Sequence, residues 1–281
     1  MRPLFERFDP RGRESPVVVE VPHAGLEITA PFLALLAAPA RALARDADLY
    51  VDTLYEDAPD AGATLLVARA SRYLIDVNRG EGDIDAEVVE GARSDVRMQH
   101  GLIWRTTSQG DPILLRRLTT EELQERLDLV WRPYHRELAA IVARKRERFG
   151  VAVILAAHSM PSLDRGSAAS RRDGPEAARV RADVVPGTRG RKSAAGRFID
   201  AVEAHSVSAG WTVRHDDPYA GGFTTQHYGR PDTGVHAVQV ELARRLYMDE
   251  VTLRPSPNFD AIRAWCRELV ERLGKAATLA T

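Results

Sequence analysis

The sequence predicts an α/β fold, a single domain over residues 1–281 with a mixed, mainly parallel sheet flanked by helices. Three observations predict it. Val151–Ala157 (VAVILAA) is an unbroken apolar run that ends in His158, Ser159 and Pro161, the mark of a buried strand passing into a loop. Pro16–Val21 (PVVVEV) repeats the arrangement and runs into Pro22, His23, Ala24 and Gly25. Apolar strands of this kind are typical of parallel sheets covered on both faces. Between and after them, helical and strand patterns alternate, as α/β folds require.

Beyond the His23 loop, Ala30–Ala38 has the pattern of a short helix. Asp46–Tyr55 (DADLYVDTLY) has that of another, with Asp46 and Asp48 at its start, where carboxylates suit the helix dipole. Ala63–Arg69 and Tyr73–Val77 read as two successive strands. Residues 80–115 are polar and irregular, with glycines at Gly80, Gly82, Gly91 and Gly101, and a connection of that length marks a functional or mobile loop. Thr119–Phe149 is the clearest helix. Thr119 and Glu122 form a capping box, Leu123, Leu127, Val130, Leu138, Ile141 and Val142 an apolar stripe, and Pro133 should kink or split it.

After the central strand, Asp164–Glu176 reads as a polar loop with the character of a lid. Ala182–Val185 is a short strand, Ser193–Ala209 a helix and Trp211–Arg214 another strand. Asp217–Arg230 is a loop rich in glycine and aromatic residues. His236–Leu242 alternates as a strand carrying Glu241, and Phe259–Leu273 closes the chain as an amphipathic helix.

Composition narrows the function. The net charge of −1 gives no bulk field for nucleic acid or an anionic membrane, so neither is an expected partner. Positive charge is nearly all arginine, which supplies rigid, bidentate carboxylate binders. Cys266 is the only cysteine, which excludes an intrachain disulfide and a thiolate metal site, and its helix makes it a core thiol. The opening MRPLFERFDPRGRE has no apolar core of signal-peptide type, and no run approaches the ~18–20 apolar residues of a membrane span. The expectation is a soluble cytoplasmic protein acting on a small molecule.

Two strands each deliver a histidine at the carboxyl end, where open α/β sheets bind ligands. A lone histidine is more often structural than a ligand, but His23 and His158 follow their strands in the same way, and together they point to a metal ion. A hydrolytic site takes three protein ligands and leaves one position for water. The third should be a carboxylate: Asp48 is the first choice, with Asp46 and Glu27 as rivals. Glu241 is either a partly exposed strand-end carboxylate or a general base whose pKa burial would raise. Arg72 and Arg79 flank Asp76 and Asn78, and the set is either a structural ion-pair cluster or a fork for a substrate carboxylate. Gly221–Gly222 allows close backbone approach to a ligand. His227 shares that loop, whereas His100, His135, His205, His215 and His236 lack comparable context.

With these residues assembled, the chain resembles the N-formylglutamate amidohydrolase family from about Pro16 to Glu250. The resemblance rests on VPHAG (21–25), DADLYVDTLY (46–55), SRYLIDVNRG (71–80), WRPYH (131–135), AAHSM (156–160), PGTRG (186–190), PYAGGFTTQHYGRP (218–231) and HAVQVELARRLYMDE (236–250). Any one block is weak; eight in order are specific. The resemblance implies a zinc carboxypeptidase-like fold (the phosphorylase/hydrolase-like architecture). It also implies a Zn2+-dependent amidohydrolase cleaving N-formyl-L-glutamate to formate and L-glutamate in histidine degradation. It assigns His23, Asp48 and His158 to the metal and Glu241 as base. Asn78 and Arg79 would bind substrate with Arg72 in support, beside Gly222, Thr224 and His227 of the glycine loop. A second arginine for a dicarboxylate is sought among Arg105, Arg189, Arg191 and Arg230. Many relatives place an aspartate shortly before the second histidine, where this chain has Ala156 and Ala157, so the partner orienting His158 is expected from elsewhere. Two alternatives stay open: hydrolysis of another N-acyl amino acid, small amide or peptide at the same site, and a non-catalytic ligand-binding member of the fold.

Overall fold

The computed structural model of the chain describes residues 3–92, 98–164 and 179–278. Ten strands run in the order β1 (Phe5–Phe8), β2 (Val17–Val21), β3 (Thr64–Ala68), β4 (Ala152–Met160), β5 (Leu163–Asp164), β6 (Arg179–Val180), β7 (Val184–Gly187), β8 (Val235–Ala243), β9 (Met248–Asp249) and β10 (Arg254–Pro255). Eight α-helices accompany them: α1 (Ala30–Leu33), α2 (Ala40–Asp46), α3 (Val51–Leu54), α4 (Thr120–Arg126), α5 (Arg132–Phe149), α6 (Gly196–Ser208), α7 (Phe223–Tyr228) and α8 (Phe259–Thr278). The main sheet has the order β1-β3-β2-β4-β8-β7. Its four inner strands, β3, β2, β4 and β8, are parallel, and β1 and β7 are antiparallel edges. The expected mixed, mainly parallel sheet between helices is therefore present. No helix among the described residues is long and apolar enough to cross a membrane.

Alternation along the inner strands divides their side chains between two covers. Val17, Val19, Val21, Leu155, Ala157, Val238 and Val240 pack with Phe198, Ile199 and Val202 of α6 and with Leu269, Val270, Leu273 and the buried Cys266 of α8. Val18, Leu66, Ile154 and Ala237 pack on the other side with Leu138, Ile141 and Val142 of α5. The long helix divides as Pro133 requires. The capping box of Thr119 and Glu122 starts α4, a π-helical turn spans Leu127–Trp131, and α5 restarts with the proline in its first turn.

Four expectations need correction. Tyr73–Val77 is a turn rather than a strand. Ser71 O accepts the N–H groups of Leu74 and Ile75, and Asp76 N–H donates to Leu102 O. Its apolar residues are buried because the turn plugs the space between two apolar clusters, which a strand-like composition cannot distinguish from sheet. Trp211–Arg214 contributes one isolated bridge, Val213 to Val184, because the Thr212 N–H and hydroxyl are taken by Asp183. In 46–55 only Val51–Leu54 is helical, so Asp46 ends α2 instead of capping a helix and Asp48 lies between helices. The expected strand end at Ala157 extends through Met160, which places His158 within β4. The expected lid, apart from Asp164, lies outside the described residues.

On the α5 side β2 also carries Glu20, completely buried. Its Oε1 accepts from Tyr134 Oη at 3.0 Å and Thr224 Oγ1 at 3.1 Å, while Oε2 has no partner among the described residues. Burial pushes this carboxyl up to about 7, against the opposing hydrogen bond from Thr224 and the nearby His158. The native state therefore holds a proton that the unfolded chain has lost, and this group's contribution to stability declines as pH rises from about 4.5 to about 7. Across that window the wild type is expected to lose about 3 kcal/mol relative to Glu20→Gln in paired urea titrations. Parallel stability curves for the two proteins would disprove the desolvation of Glu20.

Candidate metal centre

The parallel register builds the site. β2, β4 and β8 lie side by side, with Glu20 opposite Ala156 and His158 opposite Glu241. His23 leaves the end of β2 through Pro22, so its imidazole meets that of His158 with ring centroids 4.8 Å apart. The third partner arrives through the break between α2 and α3. Asp48 N–H donates to His23 O at 3.0 Å, and Tyr50 takes a left-handed φ of 67°, turning the chain into α3. Close approach also demands glycine at two places. A Cβ on Gly25 would lie 2.3 Å from the Arg69 carbonyl, and one on Gly222 would lie 2.4 Å from Asn78 Nδ2.

His23 Nδ1, His158 Nδ1 and Asp48 Oδ2 form a buried triangle with sides of 3.2, 3.0 and 3.6 Å. Ligand atoms ~2.0–2.1 Å from one ion at tetrahedral angles are separated by roughly 3.3 Å. The donor set, two imidazoles and a carboxylate, fits a divalent transition-metal ion in both chemistry and spacing. Burial acts to raise the Asp48 carboxyl, but its contacts with His158 and then His23 outweigh this and hold it well below the usual carboxylate range. Neither rival belongs to the triangle, although Asp46 lines the same cavity. Asp46 accepts from Tyr73 Oη, Ser108 N and Ser108 Oγ, and Glu27 does not line the cavity.

The groups around the triangle explain the orientation of His23 and Asp48. Asp76, fully buried, accepts four hydrogen bonds: His23 Nε2 (2.7 Å) and Asn78 N (2.9 Å) at Oδ1, and Arg72 Nη2 and Trp104 Nε1 (2.9 Å each) at Oδ2. A proton held on His23 Nε2 leaves the Nδ1 lone pair for an ion. Burial opposes the Asp76 charge, yet His23 and Arg72 keep its pKa well below the usual range. In place of an aspartate, where the chain has Ala156–Ala157, His158 Nε2 has Asn78 Nδ2 at 3.2 Å, a donor it can accept from only while the ring proton sits on Nδ1. Arg244 is a member that sequence reasoning missed. Its guanidinium reaches Arg45 O at 2.6 Å, Ala47 O at 2.7 Å, Ser159 Oγ at 3.3 Å and Asp48 Oδ1 at 3.4 Å. The available signal was a basic residue three positions past Glu241.

These groups open into a cavity of about 910 Å³ lined by His23, Asp48, Asn78, His158, Gly222 and Glu241 among others. Glu241 Oε1 accepts from Gln239 Nε2 at 2.8 Å, and burial raises its pKa against the pull of His158. Arg72 and Arg79 also line the cavity, with Arg72 stacked 4.2 Å over Trp104. His100, set aside in the sequence, lines it too. Thr224 and His227 do not. The Thr224 side chain is buried on Glu20, its N–H holds Asn78 Oδ1, and His227 stacks on Phe223. Arg105, Arg189, Arg191 and Arg230 are likewise absent from the lining.

The fold and this site define a class: an α/β protein with a buried two-histidine, one-carboxylate group fit to hold a metal ion at the carboxyl ends of its parallel strands, beside a further buried glutamate. The sequence matches the N-formylglutamate amidohydrolase family over residues 15–248. It is 34% identical to an N-formylglutamate deformylase of Pseudomonas aeruginosa over 272 residues, covering 94% of each chain. It is 33% identical to an N-formylglutamate deformylase of Pseudomonas putida over 242 residues, covering 84% of this chain and 82% of that one. The solved N-formylglutamate amidohydrolase of Ralstonia eutropha superposes with a TM-score of 0.87 at 32% identity, covering 99% of both chains. The chain belongs to the N-formylglutamate amidohydrolase family.

Two variants test the centre. His158→Ala is expected to abolish stoichiometric metal binding. Asp76→Ala is expected to weaken it about 10–100-fold, as loss of a partner that orients a ligand usually does. Competition against a chromogenic chelator measures both, and unchanged affinity in Asp76→Ala would show that His23 needs no such support.

Proposed function

We propose that this chain is a zinc-dependent amidohydrolase that converts N-formyl-L-glutamate to formate and L-glutamate in histidine degradation, working as one domain over residues 1–281. The observation that carries this reading is the buried triangle of His23, Asp48 and His158 with Glu241 in register beside it. The named relatives support the same substrate. Two nitrogens and one oxygen at near-tetrahedral spacing favour zinc among the common divalent ions.

His23, Asp48 and His158 would hold the ion. When bound, it supplies Lewis acidity, which brings the pKa of water from ~16 toward ~7 and polarises a carbonyl. Glu241 takes a proton from the attacking water and delivers it to the departing amine nitrogen, a task suited to a carboxyl whose pKa burial has raised. Arg79 donates only to the main-chain carbonyls of His100 and Asn78 among the described residues, so its remaining donors serve a substrate carboxylate. Asn78 supports it from the same turn. Arg72, tied to Asp76, gives a fixed positive charge that stabilises negative charge developing on the formyl oxygen. Gly222 brings the main chain against Asn78 and shapes the substrate's seat. Thr224 acts one layer down, by holding Asn78.

Formate release from N-formyl-L-glutamate, followed with formate dehydrogenase, tests the reading. One formate per glutamate is the expected yield, and absence of formate from metal-replete protein would reject it. Glu241→Gln keeps the oxygen that receives Gln239 but cannot accept a proton. It should retain one metal ion per chain and lose about 10²–10⁴-fold in kcat. Unaltered turnover in this variant would remove Glu241 from the role of base.

A further inference from the structure

We propose that Arg45 binds the second carboxylate of the substrate and makes the site selective for N-acyl dicarboxylic amino acids over neutral ones, an assignment that rests on the amidohydrolase reading above. A substrate with two carboxylates needs two cations that the protein has not already spent on itself. Among the described residues, five arginines line the cavity: Arg45, Arg72, Arg79, Arg181 and Arg244. Their commitments separate them. Arg72 is bound to Asp76 and stacked on Trp104. Arg244 is buried, with its donors on two carbonyls and Ser159. Arg181 is held by Pro161 O and Tyr219 Oη, with Asp164 at 3.4 Å. Arg79 has carbonyl partners only among the described residues and takes the first carboxylate.

Among the described residues, the Arg45 side chain makes no hydrogen bond; its Nε is buried without a partner, as are those of Arg72 and Arg181, but those two guanidiniums are held through their Nη groups. The nearest carboxylate oxygen, Asp46 Oδ1, stands 3.8 Å from Nε, outside hydrogen-bond range. Asp46 is already served by Tyr73 and Ser108. The Arg45 side chain lines the cavity, is 28% exposed and makes no hydrogen bond among the described residues, so its Nη donors are available to a carboxylate entering the cavity. Its main chain is rigidly tied to the metal centre. Arg244 grips Arg45 O at 2.6 Å with Nη1 and approaches Asp48 Oδ1 with Nη2, so one side chain fixes both the anchor of Arg45 and a metal ligand. A neutral side chain on the substrate would leave Arg45 unpaired in the occupied cavity, and sites built around a polar partner discriminate strongly against analogues that lack it.

The test compares N-formyl-L-glutamate with N-formyl-L-glutamine, which has the same size and no second charge. The wild type should prefer the glutamate compound by about 10²-fold or more in kcat/KM. That ratio should fall to within about threefold of unity in Arg45→Gln and recover in part in Arg45→Lys. Arg191→Gln, on an exposed ion pair with Asp200 outside the cavity, should keep the wild-type ratio. Calorimetric binding of L-glutamate and L-glutamine to metal-stripped protein gives the same comparison without turnover. A wild type without preference, or an Arg45→Gln that keeps it in both measurements, overturns the assignment to Arg45 alone. A wild type that hydrolyses neither compound overturns the amidohydrolase reading and this assignment with it.

Discussion

Asp76 has no contact with water and is nevertheless charged, and the arrangement of the site follows from how that charge is satisfied. An isolated carboxylate in such a place would be far too costly, so it is retained only with a full set of donors. Four donors meet it, from an imidazole, a guanidinium, an indole and a main-chain N–H. Each belongs to a different functional part: His23 faces the metal position, Arg72 faces the cavity, Trp104 supports Arg72 from below, and Asn78 reaches His158. One side chain thus couples a member of the candidate metal triangle to a cation that lines the cavity. A change in its position would move His23 and Arg72 together.

The sheet provides the frame in which this coupling operates. Parallel pairing without bulges between β4 and β8 places His158 directly beside Glu241. Residues two apart share a face, so Gln239 lies next to Glu241 and supplies its amide at 2.8 Å. The same face of β2 carries Glu20, whose partner Thr224 holds Asn78 from beneath. Buried polar groups therefore occupy consecutive layers under the cavity, each braced by the next. Such stacks are rigid when every member is satisfied, and among the described residues the open Oε2 of Glu20 is a gap in this column.

Much of this was legible in the sequence because it depends on local rules. Val17–Val21 and Val151–Ala157 announced buried parallel strands, and the capping box with Pro133 announced a divided helix. The two histidines were legible because both end apolar runs, and Asp48 because the resemblance singled out its block. What escaped was whatever depends on folding at a distance. Tyr73–Val77 has strand composition but plugs a gap between clusters. Asp46 and Asp48 both suit a helix start, and only the break between α2 and α3 separates a hydroxyl-bound carboxylate from one facing two imidazoles. Arg244 joins Asp48 across 196 positions of sequence, and no periodicity links them. Thr224 and His227 lie in the right loop on the wrong side of it, because the helix that this loop forms turns them toward Glu20 and Phe223.

The two carboxylates beside the imidazoles show how one environment supports different tasks. Asp48 and Glu241 are both buried, and burial alone would raise both. The outcome differs because their partners differ. Asp48 lies within 3.0 Å of His158 Nδ1 and 3.6 Å of His23 Nδ1, with Arg244 at 3.4 Å on its other oxygen, and stays ionised. Glu241 receives a neutral amide from Gln239, sees His158 from the adjacent strand, and is pushed further up by the charge on Asp48 itself. An anion that stays ionised suits a metal ligand, and a carboxyl held nearer neutrality suits proton transfer. Separating paired acids in this way is a general route to assigning their roles. Here the separation follows from the register of β4 and β8 and from the point at which the chain leaves α2.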